Sequence, residues 1–294
     1  MDRLATVQWS ELLPDEFHRR IGELPVVYLP VGLCEPHGHV AALGLDLLKA
    51  EHYCEEAARR FGGIVAPSQG YHIHECGFHA PWLEEVLGEE NPLMAAIPPD
   101  LMARLFLYQL RAFANTGFGA VITVSGHSGG SQEDLRRVGR AFGVRTGVTV
   151  MVKSDPELVE GLFQGDHAGR YELSQLMAIR PDLVDLSRLG RRDDPGSGGR
   201  MALGDDAADT DPEHGRAINE AIIASIGRQV EELRPDLARW TPGPLITFSD
   251  TEKIWREILA KGGDWKSAQP WPGQPPVSPD SRWKPEEHLP LTLS

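Results

Sequence analysis

The run Glu35-Pro-His37-Gly-His39-Val-Ala-Ala-Leu-Gly-Leu-Asp46 places two carboxylates and two imidazoles within twelve residues, directly after an apolar stretch. Imidazole and carboxylate together suit a hydrolytic divalent metal such as Zn, Mn or Fe. A second group, His127-Ser-Gly-Gly130, closes the apolar run 119–126. A third, Asp166-His167-Ala-Gly-Arg-Tyr-Glu172-Leu-Ser174, opens a helical stretch. Taken singly, Asp46 and Glu172 also read as helix-start charges favoured by the macrodipole. Three such clusters with small glycine-rich turns between them point instead to one metal site.

The elements that must position these groups alternate in type. Residues 24–32 read as a buried strand, so Glu35 and His37 leave its carboxyl end, where open α/β sheets place their sites. Residues 45–60 read as a helix and 62–67 as a second strand. Pro98-Pro99 starts a helix that runs through Phe113, with Gly117 as its stop. A strand into Ser125-Gly126, a helix over 132–142 and a β-rich run over 148–153 follow, then helices over 171–179 and 218–233. This order predicts an α/β fold, a mostly parallel central sheet flanked by helices on both faces.

Two stretches read as irregular. Residues 69–98 form a long loop rich in His, Glu and Pro, in which His74, Glu75, His79 and Trp82 are the candidate substrate contacts; the plain alternative is an exposed loop with incidental histidines. Residues 191–211, rich in Gly and Asp, predict an exposed excursion. His39 reads as an outer or surface histidine, and Cys34 and Cys76 as small packing residues.

The chain, 294 residues with a formal net charge of −14, is long enough for a sizeable core and lacks the basic balance of a nucleic-acid or anionic-membrane binder. Three cysteines without a paired spacing exclude a disulfide framework. No signal peptide and no apolar run of ~20 residues is present, which predicts a cytoplasmic protein. The last sixty residues hold ten of the 23 prolines and five of the seven tryptophans. The division expected is therefore a catalytic domain over 1–234 and a Pro/Trp-rich extension over 235–294 that lies on its own core or on a neighbouring subunit.

The three clusters together resemble the creatininase (creatinine amidohydrolase) family. The carrying residues are Glu35-Pro-His37-Gly38 with Asp46, Ser125-Gly-His127-Ser-Gly-Gly-Ser131 and His167-Ala-Gly-Arg-Tyr-Glu172-Leu-Ser174, in the family's order, within a resemblance spanning about residues 20 to 235. The family's three-layer fold is implied, with two divalent ions (Zn, Mn or Fe) per subunit, a small-molecule substrate and a homo-oligomer, a hexamer in the family. One carboxylate can bridge two metals held about 3.5–4 Å apart, and Asp46 is the candidate bridge. The resemblance gives Glu35 and His127 to one metal and His37 to the other, and proton transfer to His167, whose ring titrates near working pH. The plain alternative for His167 is a pairing with Asp166 at the helix entry.

Departures from the pattern shape the expected activity. Gly129 stands where creatininase carries a metal-binding Glu, so Glu172 is expected to supply that ligand; Leu173 replaces a Thr, and His39-Val-Ala-Ala replaces the usual continuation of the first motif. The resemblance then implies a metal-dependent hydrolase opening a small polar ring. The bond is either a cyclic amide C–N bond or a ketoinositol C–C bond, since the family includes a hydrolase of 3-dehydro-scyllo-inosose in inositol catabolism. The alternatives are a metal-binding member without turnover, and a peptidase or deformylase of the same family.

Overall fold

The computed structural model describes residues 6–75, 77, 79–88, 90–193, 201–261, 265–268 and 273–283. Four strands, β1 (Val26–Val31), β2 (Ile64–Val65), β3 (Ala120–Ser125) and β4 (Thr149–Ser154), form one sheet in the order β2-β1-β3-β4, parallel at every pairing. β1 and β3 pair in register from Val26 with Ala120 to Val31 with Ser125, so both strands end at one level. The helices are α1 (Pro14–Glu23), α2 (Leu45–Phe61), α3 (His79–Val86), α4 (Pro99–Thr116), α5 (Ser131–Thr146), α6 (Asp155–Leu158), α7 (Arg170–Ile179), α8 (Pro212–Leu237) and α9 (Phe248–Ala260).

Strand alternation sorts the core into two layers. Val27, Leu29, Val31 and Val121 face one way and pack with α4, α5 and α9 through Phe106, Leu110, Leu135, Phe142 and Ile254. Val26, Tyr28, Ile122 and Val124 face the other way and meet α2 and α8 through Tyr53, Ala57, Ile218 and Ile222. The sheet thus lies between two helical layers, as its continuous apolar strands require. No helix among the described residues is long and apolar enough to cross a membrane.

Several expectations need correction. The stretch 69–98 is not all loop: α3 occupies its middle, with Ala80, Leu83, Val86 and Leu87 buried at helical spacing. Pro81 obscures that helix, although proline is harmless in a first turn whose N–H groups lack internal partners. In the excursion, residues 194–200 lie outside the described residues, but Met201, Ala202 and Leu203 are buried instead of exposed. The Met201 carbonyl accepts the Gly38 N–H (2.8 Å), which ties this segment under the first motif. The capping box of α9 is built by Thr247 and Asp250.

Helix α8 continues to Leu237, past residue 234. Beyond it, Trp255 and Trp265 are buried in the core layer of α4 and α5, and Trp265 also receives the Arg137 guanidinium on its ring (4.2 Å). Trp283 is buried against α3 and donates its indole N–H to the Gly88 carbonyl (3.2 Å). Trp240 is half-buried and donates to the Gly117 carbonyl (3.0 Å), while Trp271 lies outside the described residues.

Candidate metal centre

The site lies where the carboxyl ends of β1 and β3 meet the start of α2. Two glycines permit the approach. A Cβ on Gly32 would stand 2.4 Å from the Leu47 nitrogen, and one on Gly126 would stand 2.0 Å from the Asp46 carbonyl oxygen. With hydrogen atoms there instead, the backbone of α2 sits against both strand ends and Asp46 points back over them.

Asp46 faces two groups at once. Its Oδ1 is 3.2 Å from His37 Nε2, and its Oδ2 is 3.5 Å from His127 Nδ1. On one side, His127 Nδ1 also lies 2.8 Å from Glu35 Oε1. On the other, His37 Nε2 lies 3.4 Å from Glu172 Oε2. Ligand atoms of Glu35, Asp46 and His127 lie within 4.8 Å of one another, as do those of His37, Asp46 and Glu172. All five side chains are buried.

Two observations fit this set to cations. His37 Nδ1 is 3.1 Å from the Glu35 carbonyl, which only accepts, so Nδ1 carries a proton, and in the neutral ring that a metal would bind Nε2 is the nitrogen with the lone pair. Moreover, His37 Nε2, both Asp46 oxygens and Glu35 Oε2 are buried without an aligned hydrogen-bond partner. Such orphaned groups cost free energy unless an ion satisfies them.

The electrostatics agree. Burial alone would lower the His127 imidazole, but Glu35 and Asp46 push it up to about 10. Burial would likewise lower His37, yet Asp46 and then Glu172 hold it well above its ordinary value. Burial would raise the Glu35 carboxyl, and His127 and His74 hold it well below the usual range instead. Glu35 thus keeps its charge beside imidazoles that carry protons, and a metal ion would take over the role of those protons.

His167 covers this floor. Its ring stacks on His37 (centroids 4.8 Å apart) and meets the edge of Trp82 at 4.9 Å. Its Nε2 is 3.2 Å from the Pro36 carbonyl and must be the N–H, which leaves Nδ1 unprotonated in the neutral ring, 3.9 Å from Glu172 Oε2. Desolvation holds this imidazole below its ordinary pKa despite the carboxylates around it. Asp166 does not pair with it; that carboxylate accepts the backbone N–H groups of Gly169, Tyr171 and Glu172 and so caps α7.

Above lies a cavity of about 760 Å³ whose lining includes Glu35, His127, Glu172, His167, His74 and Trp82. His79 also lines it, with its pKa pushed well below the ordinary value by burial and by His74 and His127. Of the expected substrate contacts, Glu75 does not line the cavity; its backbone N–H, at φ 57°, donates to His74 Nδ1 (2.9 Å). His39 belongs to none of the metal-capable groups among the described residues.

Sequence reasoning overlooked three contributors. Lys49, fully buried, donates to Glu172 Oε1 (2.5 Å) and lies 3.3 Å from Asp155 Oδ2. Its signal was a lysine one turn after Asp46 on the inward face of α2, among Ala50, Tyr53 and Ala57. Asp155 carried no signal beyond a helix start. Gln274 and Pro275 bring the C-terminal extension to the cavity rim, and no local pattern announces that.

Comparison with known proteins gives one consistent answer. The creatinine amidohydrolase (creatininase) family model matches residues 10–230. A creatinine amidohydrolase of Pseudomonas putida is 26% identical over 205 residues, covering 61% of this chain and 74% of that one. Among solved structures, a Mn creatininase superposes with a TM-score of 0.64 at 22% identity, covering 79% of this chain and 99% of that one. A mutant creatininase of Zn-Zn type gives 0.63 at 23% identity, covering 79% and 98%.

Proposed function

The chain belongs to the creatininase family, and from that premise we propose that it is a dinuclear metal hydrolase that opens the C–N bond of a small cyclic amide. The observation that carries this reading is the placement of Asp46, whose two oxygens face two separate sets of nitrogen and oxygen donors. Glu35, Asp46 and His127 would hold one ion, and His37, Asp46 and Glu172 the other.

A divalent pair supplies Lewis-acid polarisation of a carbonyl and a nucleophile at neutral pH. The chain's own residues do the rest. His167 is neutral at rest, with a free lone pair on Nδ1 on the carboxylate side, so it takes a proton there and returns it to the leaving nitrogen. Stacking between His37 and Trp82 holds the ring in that orientation, and Pro36 fixes the tautomer. Trp82, His74 and His79 wall the cavity beside the candidate ligands.

The similarity to creatinine amidohydrolases favours amide cleavage over C–C cleavage of a ketoinositol ring. Two measurements test the reading. Elemental analysis should find two ions in the wild type, none in Asp46→Ala and one in His37→Ala; two ions retained in Asp46→Ala would remove the bridge. A turnover panel of creatinine, other cyclic amides, formylated aminopyrimidines, 3-dehydro-scyllo-inosose and short peptides with Zn, Mn and Fe should show cleavage confined to ring amides. Selective peptide or ketoinositol cleavage would overturn the substrate class.

A further inference from the structure

The two candidate metal positions are not equivalent, and the difference traces to a residue that touches neither ion nor cavity. Glu35 Oε2 faces the imidazole of His74 (Nε2 at 3.1 Å), and neither Asp46 oxygen has an aligned partner. Glu172 is engaged already: Oε1 accepts from Lys49 (2.5 Å), and Oε2 accepts the Ala168 N–H (2.9 Å) while facing His37 Nε2. The Lys49 ammonium is fully buried, and its other neighbour is Asp155, whose Oδ2 also accepts from Gln175 (3.2 Å).

We propose that Lys49 sets the affinity of the His37/Asp46/Glu172 position, making it the weaker and exchangeable of the two. This rests on the dinuclear reading above. The reasoning is electrostatic. A cation entering the Glu35/Asp46/His127 position meets a carboxylate whose neighbours are imidazoles, His127 at 2.8 Å and His74 at 3.1 Å, with no ammonium or guanidinium against it. One entering the other position meets a carboxylate already neutralised at contact distance by an ammonium that water cannot screen. Lys49 also fixes which oxygen of Glu172 is available, so it is a positioning residue as well as a source of charge.

Loss of positioning and loss of charge act in opposite directions, which separates this role from a merely structural one. Removing the ammonium leaves Glu172 and Asp155 as two uncompensated buried carboxylates, a state that destabilises the apo chain and that a bound cation relieves. Lys49→Met should therefore lower the stability of the apo protein while tightening the second ion.

The test is a stepwise Zn²⁺ titration by chelator competition, with native mass spectrometry to count ions and thermal unfolding of the apo chains alongside. The wild type should bind two ions in distinct steps. Lys49→Met should tighten the second step by roughly ten- to a hundred-fold and leave the first unchanged, the reverse of the ten- to hundred-fold loss that follows removal of an outer partner whose role is to orient a ligand. Lys49→Gln, which keeps a donor toward Glu172 without the charge, should tighten it too and serves if Lys49→Met fails to fold; Lys49→Arg should resemble the wild type. A second step that weakens or stays put in both neutral variants overturns the proposal while leaving the dinuclear reading intact. A wild type that never takes a second ion overturns that reading, and this proposal with it.

Discussion

Gly129 and His79 stand in direct contact beside the candidate metal centre. A Cβ built on Gly129 would stand 2.1 Å from His79 Nε2 and 2.4 Å from its Cε1. Gly129 is not among the glycines with positive φ, so an alanine there is tolerated by the backbone and its cost is steric alone. The histidine cannot simply swing away, because it is buried with its ring 4.3 Å from His74 and 5.7 Å from His127. Overpacking of this kind costs about 1–3 kcal/mol. With an unfolding entropy of about 2.1 cal/mol/K per residue, the 294-residue chain has about 0.6 kcal/mol/K. Gly129→Ala should then lower Tm by about 2–5 °C. In a His79→Ala background the colliding ring is gone and the same substitution should cost much less, the remaining close neighbour being His127 Nε2 at 3.2 Å. The assay is a double-mutant cycle by thermal unfolding of apo proteins, with a coupling of about 1–3 kcal/mol expected. Additive effects within about 0.5 kcal/mol would refute the claim that the imidazole fills the space of a residue-129 side chain.

Three further outcomes follow from the geometry. His167→Gln should keep its metal content and Tm but lose about 10²–10⁴ in turnover; loss of an ion, by elemental analysis, would make His167 a ligand instead. Burial pushes the Asp155 carboxyl up to about 6, above its ordinary 3.8, with Lys49 opposing. A raised carboxyl binds its proton more tightly in the folded chain, so its contribution is present below pH 3.8 and is lost as pH rises through about 6. Asp155→Asn should flatten that part of the stability–pH curve, measured by denaturant midpoints, and an unchanged slope would contradict the assignment. Trp283→Ala should cost about 3–5 kcal/mol by emptying its place against α3, with no change of mass by light scattering. A fall in mass would mean that the extension also holds a neighbouring subunit.

The parallel sheet was legible because its strands are short apolar runs and its helices carry clear stripes. Register and curvature were not needed to place Glu35, His37 and His127 at strand ends. Asp46 was legible as a carboxylate near a helix start. What brings it over the strand ends, however, is the absence of side chains at Gly32 and Gly126, residues 14 before and 80 after it, and no local pattern links them. α3 was lost because Pro81 and the surrounding histidines masked the helical spacing of Ala80, Leu83, Val86 and Leu87. Lys49 was passed over because a lysine among apolar positions normally extends to the surface, and only the fold shows that two buried carboxylates hold it inside.

The cavity draws its floor from residues 35 to 172 and part of its rim from Gln274 and Pro275, an order with a meaning during synthesis. At about 5–20 residues per second, the last ligand precedes Pro275 out of the ribosome by about 5–20 s. During that interval a nascent chain carries every candidate metal ligand and no C-terminal rim. Ion loading in the cell thus has a natural window before the polypeptide is finished, whereas a purified apo chain presents its centre behind a completed rim. Metal taken up during expression and metal added afterwards are in this sense two different experiments.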